Sequence, residues 1–544
     1  MRRFLSRLIE GIENTPLTLA TFAASFLTLI VLRLTIENTI AFFEGRTLFF
    51  LFFEFTHTLL FFLCSYLILL PLVRFAGETD FKKAANVLLF GFCIILTPPL
   101  IDALIFKGAH FWSFYAFDGL LGLFHRFFTF FGDSPELGIT YGVRVEIAVV
   151  TLALGSYTYA KSKKIGKSLL VSLVTYAMLF ILGTFPSWLA LGMLFLKKSF
   201  LSISGNDVAA IFLSPETILA RTLNDFRSVL NFKMSIVYGA LATLLSAVLM
   251  FREFPGYFWA LLKNARMPQL IYHGGLLFLG LMLAAYFGEV SFFFDFFHVV
   301  GTLLLLAAVE SAWLASVIVN DLYDTRIDTL TNPARPLIEK TISPDLYKTF
   351  AALFFLASLL LAGIISFKAM LLLLSYQAIA YAYSAPPFRL KRIPIVATLL
   401  ASGAGMLVLF TGYVSFSPES DLKSLPISLV VFLYIAYTLS LPVKDFKDIL
   451  GDKKDGIYTI PVLLGADIAK QVIGSVLFLL FAASPFVLHA RSLFFPSLVF
   501  GSLAFFVLQK GTSNEASFFA FRKLPGILLF VIIGYGLAVT YILF

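Results

Sequence analysis

The chain has 544 residues, of which 59% are hydrophobic and only 13% are charged. Soluble globular domains average about 45–50% apolar and about 25% charged residues, so this composition excludes an ordinary soluble protein and indicates helices that face lipid. The formal net charge of +9 comes without a long basic run interleaved with aromatic residues, so we expect no nucleic-acid partner. The two cysteines, Cys64 and Cys93, lie inside apolar segments and indicate neither a disulfide framework nor a zinc site.

Apolar segments bounded by charged or turn residues predict the membrane spans. The first segment, MRRFLSRLIEGIENTP, is basic but has no apolar core, so it predicts a cytoplasmic amphipathic lead-in and not a cleaved signal. Six spans are predicted in the first half, at 17–37, 48–73, 85–106, 139–160, 168–196 and 233–251. Nine are predicted in the second half, at 269–288, 296–320, 345–365, 368–385, 393–414, 425–444, 468–488, 493–509 and 524–543.

The distribution of Lys and Arg supports this topology. If the N-terminus is cytoplasmic, the loops after every second span are basic, as membrane orientation requires, and Lys197–Lys198 is an exception on the outer side. Residues 109–131 and 206–232, on that outer side, fit either interfacial helices or packed extramembrane loops. The charged, proline-containing break FREFPGYFWALLKNARMPQ divides the chain into domains 1–252 and 253–544. We therefore expect an all-α polytopic membrane protein with about six spans followed by nine.

The first chemically informative motif is NDLYDTRID, at the end of an apolar span. Asn320, Asp324 and Asp328 recur every four residues, which places them along one helix face, and Asp321 lies beside them. Carboxylates next to hydrocarbon are costly unless they face a cavity, a partner or an ion. A set of oxygen ligands favours a hard cation, and Mg²⁺ is the natural choice if phosphate is bound.

A second acidic motif, KDFKDILGDKKDG, follows another span. Asp448 and Asp452 are four residues apart, and Asp445 precedes them by about one turn. Two acidic helix ends on the same predicted side repel each other unless they share cations, and two metal ions holding a diphosphate remove that repulsion.

The third motif, YAYSAPPFRLKR, is basic. Pro386 and Pro387 end the preceding helix and present Arg389, Lys391 and Arg392, which are suited to binding phosphate oxygens. Arg335, in NPARP, adds to this positive charge. One acidic helix end is most often a solvated cap, and one basic loop most often sets topology. The ordered combination of all three on the same predicted side favours a site.

These three motifs, in this order, resemble those of the UbiA superfamily of intramembrane prenyltransferases, and the resemblance covers residues 253–544. It implies a nine-helix transmembrane bundle with a central cavity and Mg²⁺ as cofactor. The metal-binding role implied by the resemblance falls on Asn320, Asp321, Asp324, Asp328, Asp445, Asp448 and Asp452. Diphosphate-binding roles are implied for Arg335, Arg389, Lys391 and Lys444, and catalytic roles for Asp324, Asp448 and Tyr383, the last lining the cavity.

The implied function is Mg²⁺-dependent transfer of an isoprenoid group from an allylic diphosphate to an aromatic or hydroxyl-bearing acceptor, with the active-site loops on the cytoplasmic side of the cell membrane. The implied partners are a prenyl diphosphate, a small aromatic or lipid acceptor and membrane lipids. Two alternatives stay open: transfer of a sugar phosphate to a polyprenyl phosphate, and a non-catalytic lipid transporter or scaffold. The sequence of residues 1–252 does not identify a family. Presenting an acceptor, docking a partner enzyme and exporting a product are all compatible with it.

Overall fold

A computed structural model of the chain describes residues 2–40, 48–106, 119–132, 139–214, 216–219, 221–288, 295–417, 421–449, 453 and 458–543. About 83% of the protein is helical, which confirms the all-α prediction. Thirteen described helical segments are long and apolar enough to cross a membrane. The two other predicted spans, 139–160 and 368–385, are also helical, but their helices carry more polar side chains.

The chain divides into two compact units, Met1–Thr217 with Thr222–Pro255, and Ile218–Arg221 with Gly256–Phe544. The helices up to the division are α1 (Arg2–Glu13), α2 (Leu19–Ile40), α3 (Leu48–Gly77), α4 (Phe81–Gly91), α5 (Thr97–Phe106), α6 (Gly119–Phe128), α7 (Tyr141–Ser162), α8 (Ile165–Gly183), α9 (Phe185–Leu194), α10 (Gly205–Leu213) and α11 (Phe226–Glu253). Two short strands, β1 (Glu216–Ile218) and β2 (Arg221–Leu223), form a two-stranded sheet before α11.

The helices after the division are α12 (Pro255–Asn264), α13 (Met267–Gly288), α14 (Phe296–Thr331), α15 (Pro344–Ile365), α16 (Phe367–Ser384), α17 (Pro394–Phe416), α18 (Ile427–Ser440), α19 (Ile460–Leu464), α20 (Ala466–Val487), α21 (Phe494–Gln509) and α22 (Leu524–Leu543). In the part of the chain that is described, nine of these helices coincide with the nine spans predicted for the second half. The domain limits 1–252 and 253–544 stay a prediction.

Two predicted segments differ from the observed helices for local reasons. The predicted span 168–196 is divided, because α8 ends at Gly183 and α9 starts with Pro186 in its first turn, where a proline is tolerated. Helix α11 begins seven residues before its predicted span, because Asp225 accepts a hydrogen bond from Ser228 N at 2.9 Å and caps the first turn. Of the predicted interfacial segment 109–131, only residues from 119 onward lie in the described part of the chain, and they begin with α6.

In the first unit, α3 and α11 pack side by side and run in the same direction. The rings of Phe53 and Phe232 lie 5.6 Å apart, and the hydroxyls of Thr56 and Ser235 lie 3.4 Å apart. Near the other end of the same two helices, Arg74 pairs with Glu253. In these pairs the residue number rises along both helices together, which shows that α3 and α11 are parallel and defines their register.

In the second unit, α13 and α17 approach most closely at glycines. A Cβ on Gly280 would lie far inside contact distance of the Leu409 carbonyl oxygen, and a Cβ on Gly412 would do the same at the Leu277 carbonyl oxygen. Small residues allow helix backbones to approach closely in membranes, where van der Waals packing drives association. These two glycines therefore set the spacing of α13 and α17.

Candidate active site

The first acidic motif lies on the last turns of α14, a helix of 36 residues. Asp295 begins the helix by accepting hydrogen bonds from Phe297 N and His298 N. Asp321, Asp324 and Asp328 are all buried, because spacings of three and four residues place them on one helix face. Asn320 is half-buried and donates a hydrogen bond to Ser384 Oγ on α16, at 3.2 Å. The structure thus places all four predicted side chains of this motif at one end of the unit.

Asp321 is the most deeply buried of these acids, with 1% of its surface exposed. Its Oδ2 accepts hydrogen bonds from Asn264 Nδ2 and from the hydroxyl of Tyr347, the latter at 2.9 Å. Its Oδ1 lies 3.1 Å from Arg335 Nη1 and 3.4 Å from Arg266 Nη2. Both carboxylate oxygens therefore have two donors each, and the charge of Asp321 is fully compensated.

Arg335 connects this network to the next acid. Its Nη1 donates to Asn264 Oδ1 at 2.6 Å, and its Nε lies 3.9 Å from Asp328 Oδ1. Asp328 Oδ1 also accepts a hydrogen bond from Asn332 Nδ2 at 3.0 Å. Asp328 Oδ2 is buried and has no hydrogen-bond partner in the described part of the chain. Burial raises the pKa of the Asp328 carboxyl, and Asn332 and Arg335 oppose that shift.

Asp324 is held by the basic motif. Its Oδ1 accepts a hydrogen bond from Arg389 Nη2 at 2.9 Å, and its Oδ2 pairs with Lys391 Nζ. Arg389 has a positive φ of 45°, an unfavourable conformation for a residue with a Cβ, which indicates that its surroundings fix it in place. The structure therefore brings Arg389 and Lys391 to the first acidic motif, whereas Arg392 is exposed.

The second acidic motif begins in a 3₁₀ helix, Leu441–Asp448. Phe446 is buried and packs against Phe521 with ring centroids 5.4 Å apart, which attaches this segment to the end of the bundle near α22. Lys444 is exposed and Asp445 is half-buried. The side chain of Asp448 and the whole of Asp452 lie outside the described residues. The meeting of the two acidic motifs stays a prediction.

Aromatic side chains line the interior of the bundle beside α14. Tyr376 OH and His273 Nε2 are 3.1 Å apart, and the His273 and Trp313 rings are 4.6 Å apart. The rings of Tyr272 and Tyr437 are 5.2 Å apart. Tyr383, the predicted cavity residue, is half-buried two turns after Tyr376 on α16. Such faces suit a developing allylic cation.

Sequence reasoning missed the residues that hold Asp321. Asn264 and Tyr347 lie 57 and 26 residues from it, so no local spacing connects them. Glu310 was also missed, although a carboxylate within an apolar span is a signal of function. It is half-buried on α14, and its Oε2 has no hydrogen-bond partner among the described side chains and backbone.

Across the described ranges, no group of three or more Asp, Glu, His or Cys side chains is close enough to hold a metal ion. The acids of α14 instead alternate with guanidinium and ammonium groups at one end of a helical membrane bundle. Arg and Lys beside these carboxylates are suited chemically to binding phosphate oxygens next to the aromatic interior.

Comparison with known proteins shows the family to which the chain belongs. The UbiA prenyltransferase family matches residues 275–524. Digeranylgeranylglyceryl phosphate synthase of Methanococcoides burtonii is 30% identical over 253 residues, which cover 42% of this chain and 84% of the relative. The synthase of the same name from Methanobrevibacter smithii is 28% identical over 176 residues, which cover 31% of this chain and 60% of that relative. The chain belongs to the UbiA prenyltransferase family, as its motifs predict.

Among solved structures, the chain resembles a UbiA homolog from Archaeoglobus fulgidus bound to GPP and Mg²⁺. The sequence identity is 20% and the TM-score is 0.40, and the alignment covers 52% of this chain and 99% of that one.

Proposed function

We propose that the second unit catalyses Mg²⁺-dependent transfer of a prenyl group from an allylic diphosphate to an acceptor within the membrane. The observation that carries the proposal is the pairing of Asp324 with Arg389 and Lys391. Beside this pair, Asp328 Oδ2 has no hydrogen-bond partner among the described residues. A diphosphate needs positive charge from Arg, Lys and divalent cations together, and this end of the bundle supplies the side chains for both.

The chemistry of the donors fits Mg²⁺. Asp324 and Asp328 offer carboxylate oxygens, the ligand type that Mg²⁺ prefers, and the buried Asp328 Oδ2 is available as a ligand. We propose these two residues, Asn320 and the second acidic motif as the metal set. When bound, Mg²⁺ would neutralise the charge that develops on the leaving diphosphate.

We assign Asp321 a positioning role in place of a ligand role. Its four donors occupy both oxygens, so a cation would have to displace a guanidinium, an amide or a phenol. Asp321 instead fixes Arg335, which points to Asp328 as well. In this account the fixed Arg335 binds the diphosphate, as Arg389 and Lys391 do on the other side of the acids.

The proposed reaction breaks the bond between C1 of the donor and its diphosphate oxygen. The diphosphate leaves with the electron pair, and the allylic cation lies among apolar and aromatic side chains that offer no nucleophile. The acceptor oxygen or arene carbon forms the new bond to C1 and then loses its proton to the diphosphate or to water. Tyr383 lines this chamber in the proposal.

Relatives suggest the type of acceptor. The name digeranylgeranylglyceryl phosphate synthase describes a product with two geranylgeranyl groups on glyceryl phosphate. We therefore propose a hydroxyl of a glyceryl lipid as the acceptor and geranylgeranyl diphosphate as the first donor to test.

The test is transfer of label from radiolabelled geranylgeranyl diphosphate into a lipid extract by the purified full chain with Mg²⁺. We expect Asp324→Asn to lower the rate by about 100–1,000-fold, because it removes a ligand and the partner of two cationic residues. Asp345→Asn is the matched control, since Asp345 is exposed at the start of α15 and its loss leaves the rate unchanged.

Wild-type rates in Asp324→Asn would overturn the assignment of the site. Consumption of a labelled sugar diphosphate in place of the isoprenoid would overturn the proposed reaction while leaving the site intact.

We also propose that residues 1–252 form a separate accessory domain and that the three motifs face the cytoplasm. The alternating basic loops support this sidedness. Contact of the accessory domain with a partner enzyme stays a proposal.

A further inference from the structure

A cavity of about 410 Å³ lies in the first unit, outside the segment that matches the UbiA family. Its walls include residues from eight helices: α2, α3, α4, α5, α7, α8, α9 and α11. Its volume falls in the range of about 300–1,000 Å³ that is typical of small-molecule sites. None of the residues that line this cavity belongs to the active site proposed above, so the two sites are separate.

Charged side chains gather at one end of this cavity. Glu54 on α3, Glu146 on α7 and Arg227 on α11 each lie within the first seven residues of their helices, and Glu37 lies in the last turn of α2. Asp102, near the end of α5, accepts a hydrogen bond from Gly142 N at 2.7 Å and ties that end to the start of α7. These contacts and helix positions place the four acids at the same end of the cavity, which we call the polar end.

Most of the other residues that line the cavity are apolar, although Ser65 and Asn231 also contribute to its walls. Phe61, Phe62 and Leu69 continue the lining along α3, and Leu154 continues it along α7. From Glu54 to Leu69 the lining advances fifteen positions along a helix, or roughly 22 Å at 1.5 Å per residue. The cavity is therefore elongated, polar at one end and apolar at the other, which is the shape and polarity of a single-chain amphiphile.

The charges at the polar end select the type of headgroup. Four carboxylates, Glu37, Glu54, Asp102 and Glu146, line it against two guanidinium groups. One of these, Arg33, is already engaged, because it donates to Ile95 O at 2.5 Å, lies 3.8 Å from Glu37 and stacks 5.1 Å from the Phe62 ring centroid. An anionic headgroup would meet net negative charge and would be repelled.

We propose that this cavity binds a single-chain amphiphile whose headgroup donates hydrogen bonds and carries no negative charge, with its chain along the Phe61–Leu69 wall. Hydroxyl and amine headgroups share this chemistry. Carboxylates within a membrane protein are costly to maintain and accept hydrogen bonds from such groups, which explains why the acids face a cavity here.

The test uses a monoacylglycerol probe with a diazirine in an eighteen-carbon chain, photo-crosslinked to the purified full chain. We expect labelled peptides from α3 and α7. Unlabelled monoolein or oleylamine should compete at concentrations at least tenfold lower than oleoyl lysophosphatidic acid. Preference for monoolein identifies a hydroxyl headgroup, and preference for oleylamine an amine. Equal or stronger competition by lysophosphatidic acid overturns the proposal.

Two variants on adjacent positions of α7 control for location. Both side chains are exposed, but Ala153 lines the cavity and Leu152 does not. Ala153→Trp should fill the apolar part and reduce labelling at least tenfold, and Leu152→Trp should leave labelling unchanged. Equal labelling of both variants shows that the probe lies elsewhere and overturns the proposal.

A third variant tests the headgroup without changing the shape of the cavity. Asp102→Asn should reduce the ratio between the competing concentrations of lysophosphatidic acid and monoolein by about fivefold or more. It removes one negative charge, while its amide oxygen can still accept the hydrogen bond from Gly142 N. An unchanged ratio contradicts the role given to the acids, even if the tryptophan variants behave differently.

Discussion

Replacing Tyr347 with Phe tests whether Asp321 organises the active site. Tyr347 is fully buried, and its hydroxyl donates to Asp321 Oδ2 at 2.9 Å and accepts from Asn264 Nδ2 at 2.7 Å. Phe keeps the ring, so no cavity forms. The change removes the hydrogen bond to the buried charge of Asp321 and also the one from Asn264 Nδ2. Hydrogen bonds to charged groups contribute about 1.5–3 kcal/mol. The Asn264 amide keeps its bond to Asp321, so the expected loss in unfolding free energy is about 2–3 kcal/mol.

The assay is the unfolding free energy of the full chain by steric trapping or SDS titration, with Tyr434→Phe as the control. The Tyr434 hydroxyl donates to Leu399 O at 3.2 Å in an exposed position, so its loss should cost no more than about 1 kcal/mol. Prenyl transfer should also fall in Tyr347→Phe, since Arg335 loses part of its anchor.

If the two variants differ by less than about 0.5 kcal/mol, Asp321 does not depend on this hydroxyl. The positioning role that we assign to Asp321 would then be wrong.

Two further substitutions test the site and the bundle. Arg335→Lys keeps the charge but cannot contact Asn264 and the acids together, so transfer activity should fall at least tenfold, and activity within twofold of wild type would contradict the bridging role. Gly280→Ala should destabilise the protein by about 1–3 kcal/mol because its Cβ meets the α17 backbone, whereas Gly275→Ala has open space and should be neutral or slightly stabilising. Equal unfolding free energies of the two glycine variants would show that α13 and α17 tolerate a wider spacing.

The membrane spans were predictable because a helix that crosses the bilayer needs about 20 mostly apolar residues, a pattern that is visible in the sequence. Each of the fifteen predicted spans coincides with helix in the described ranges, since every spanning segment must satisfy its backbone hydrogen bonds internally. The four-residue spacing of Asp324 and Asp328 also predicted correctly that they lie on one face of a helix. Helix ends depend on single capping contacts, which is why the start of α11 at Phe226 was missed.

The partners within the site were not predictable, because they depend on packing between distant helices. Asp321 was grouped with the other acids, but Asn264 and Tyr347 reach it from α12 and α15 and donate hydrogen bonds to its Oδ2. Arg389 was expected to bind phosphate, and its salt bridge to Asp324 at 2.9 Å became visible only in three dimensions. A sequence shows which residues carry charge but not which charges compensate each other.

The claim that the acids of α14 hold divalent cations with a diphosphate has a direct test. Mn²⁺ bound by the purified full chain is measured by electron paramagnetic resonance in the presence of inorganic diphosphate. We predict saturable binding by the wild-type protein and by Asp345→Asn, and at least tenfold weaker binding by Asp328→Asn. Equal Mn²⁺ affinity in all three proteins would contradict the account.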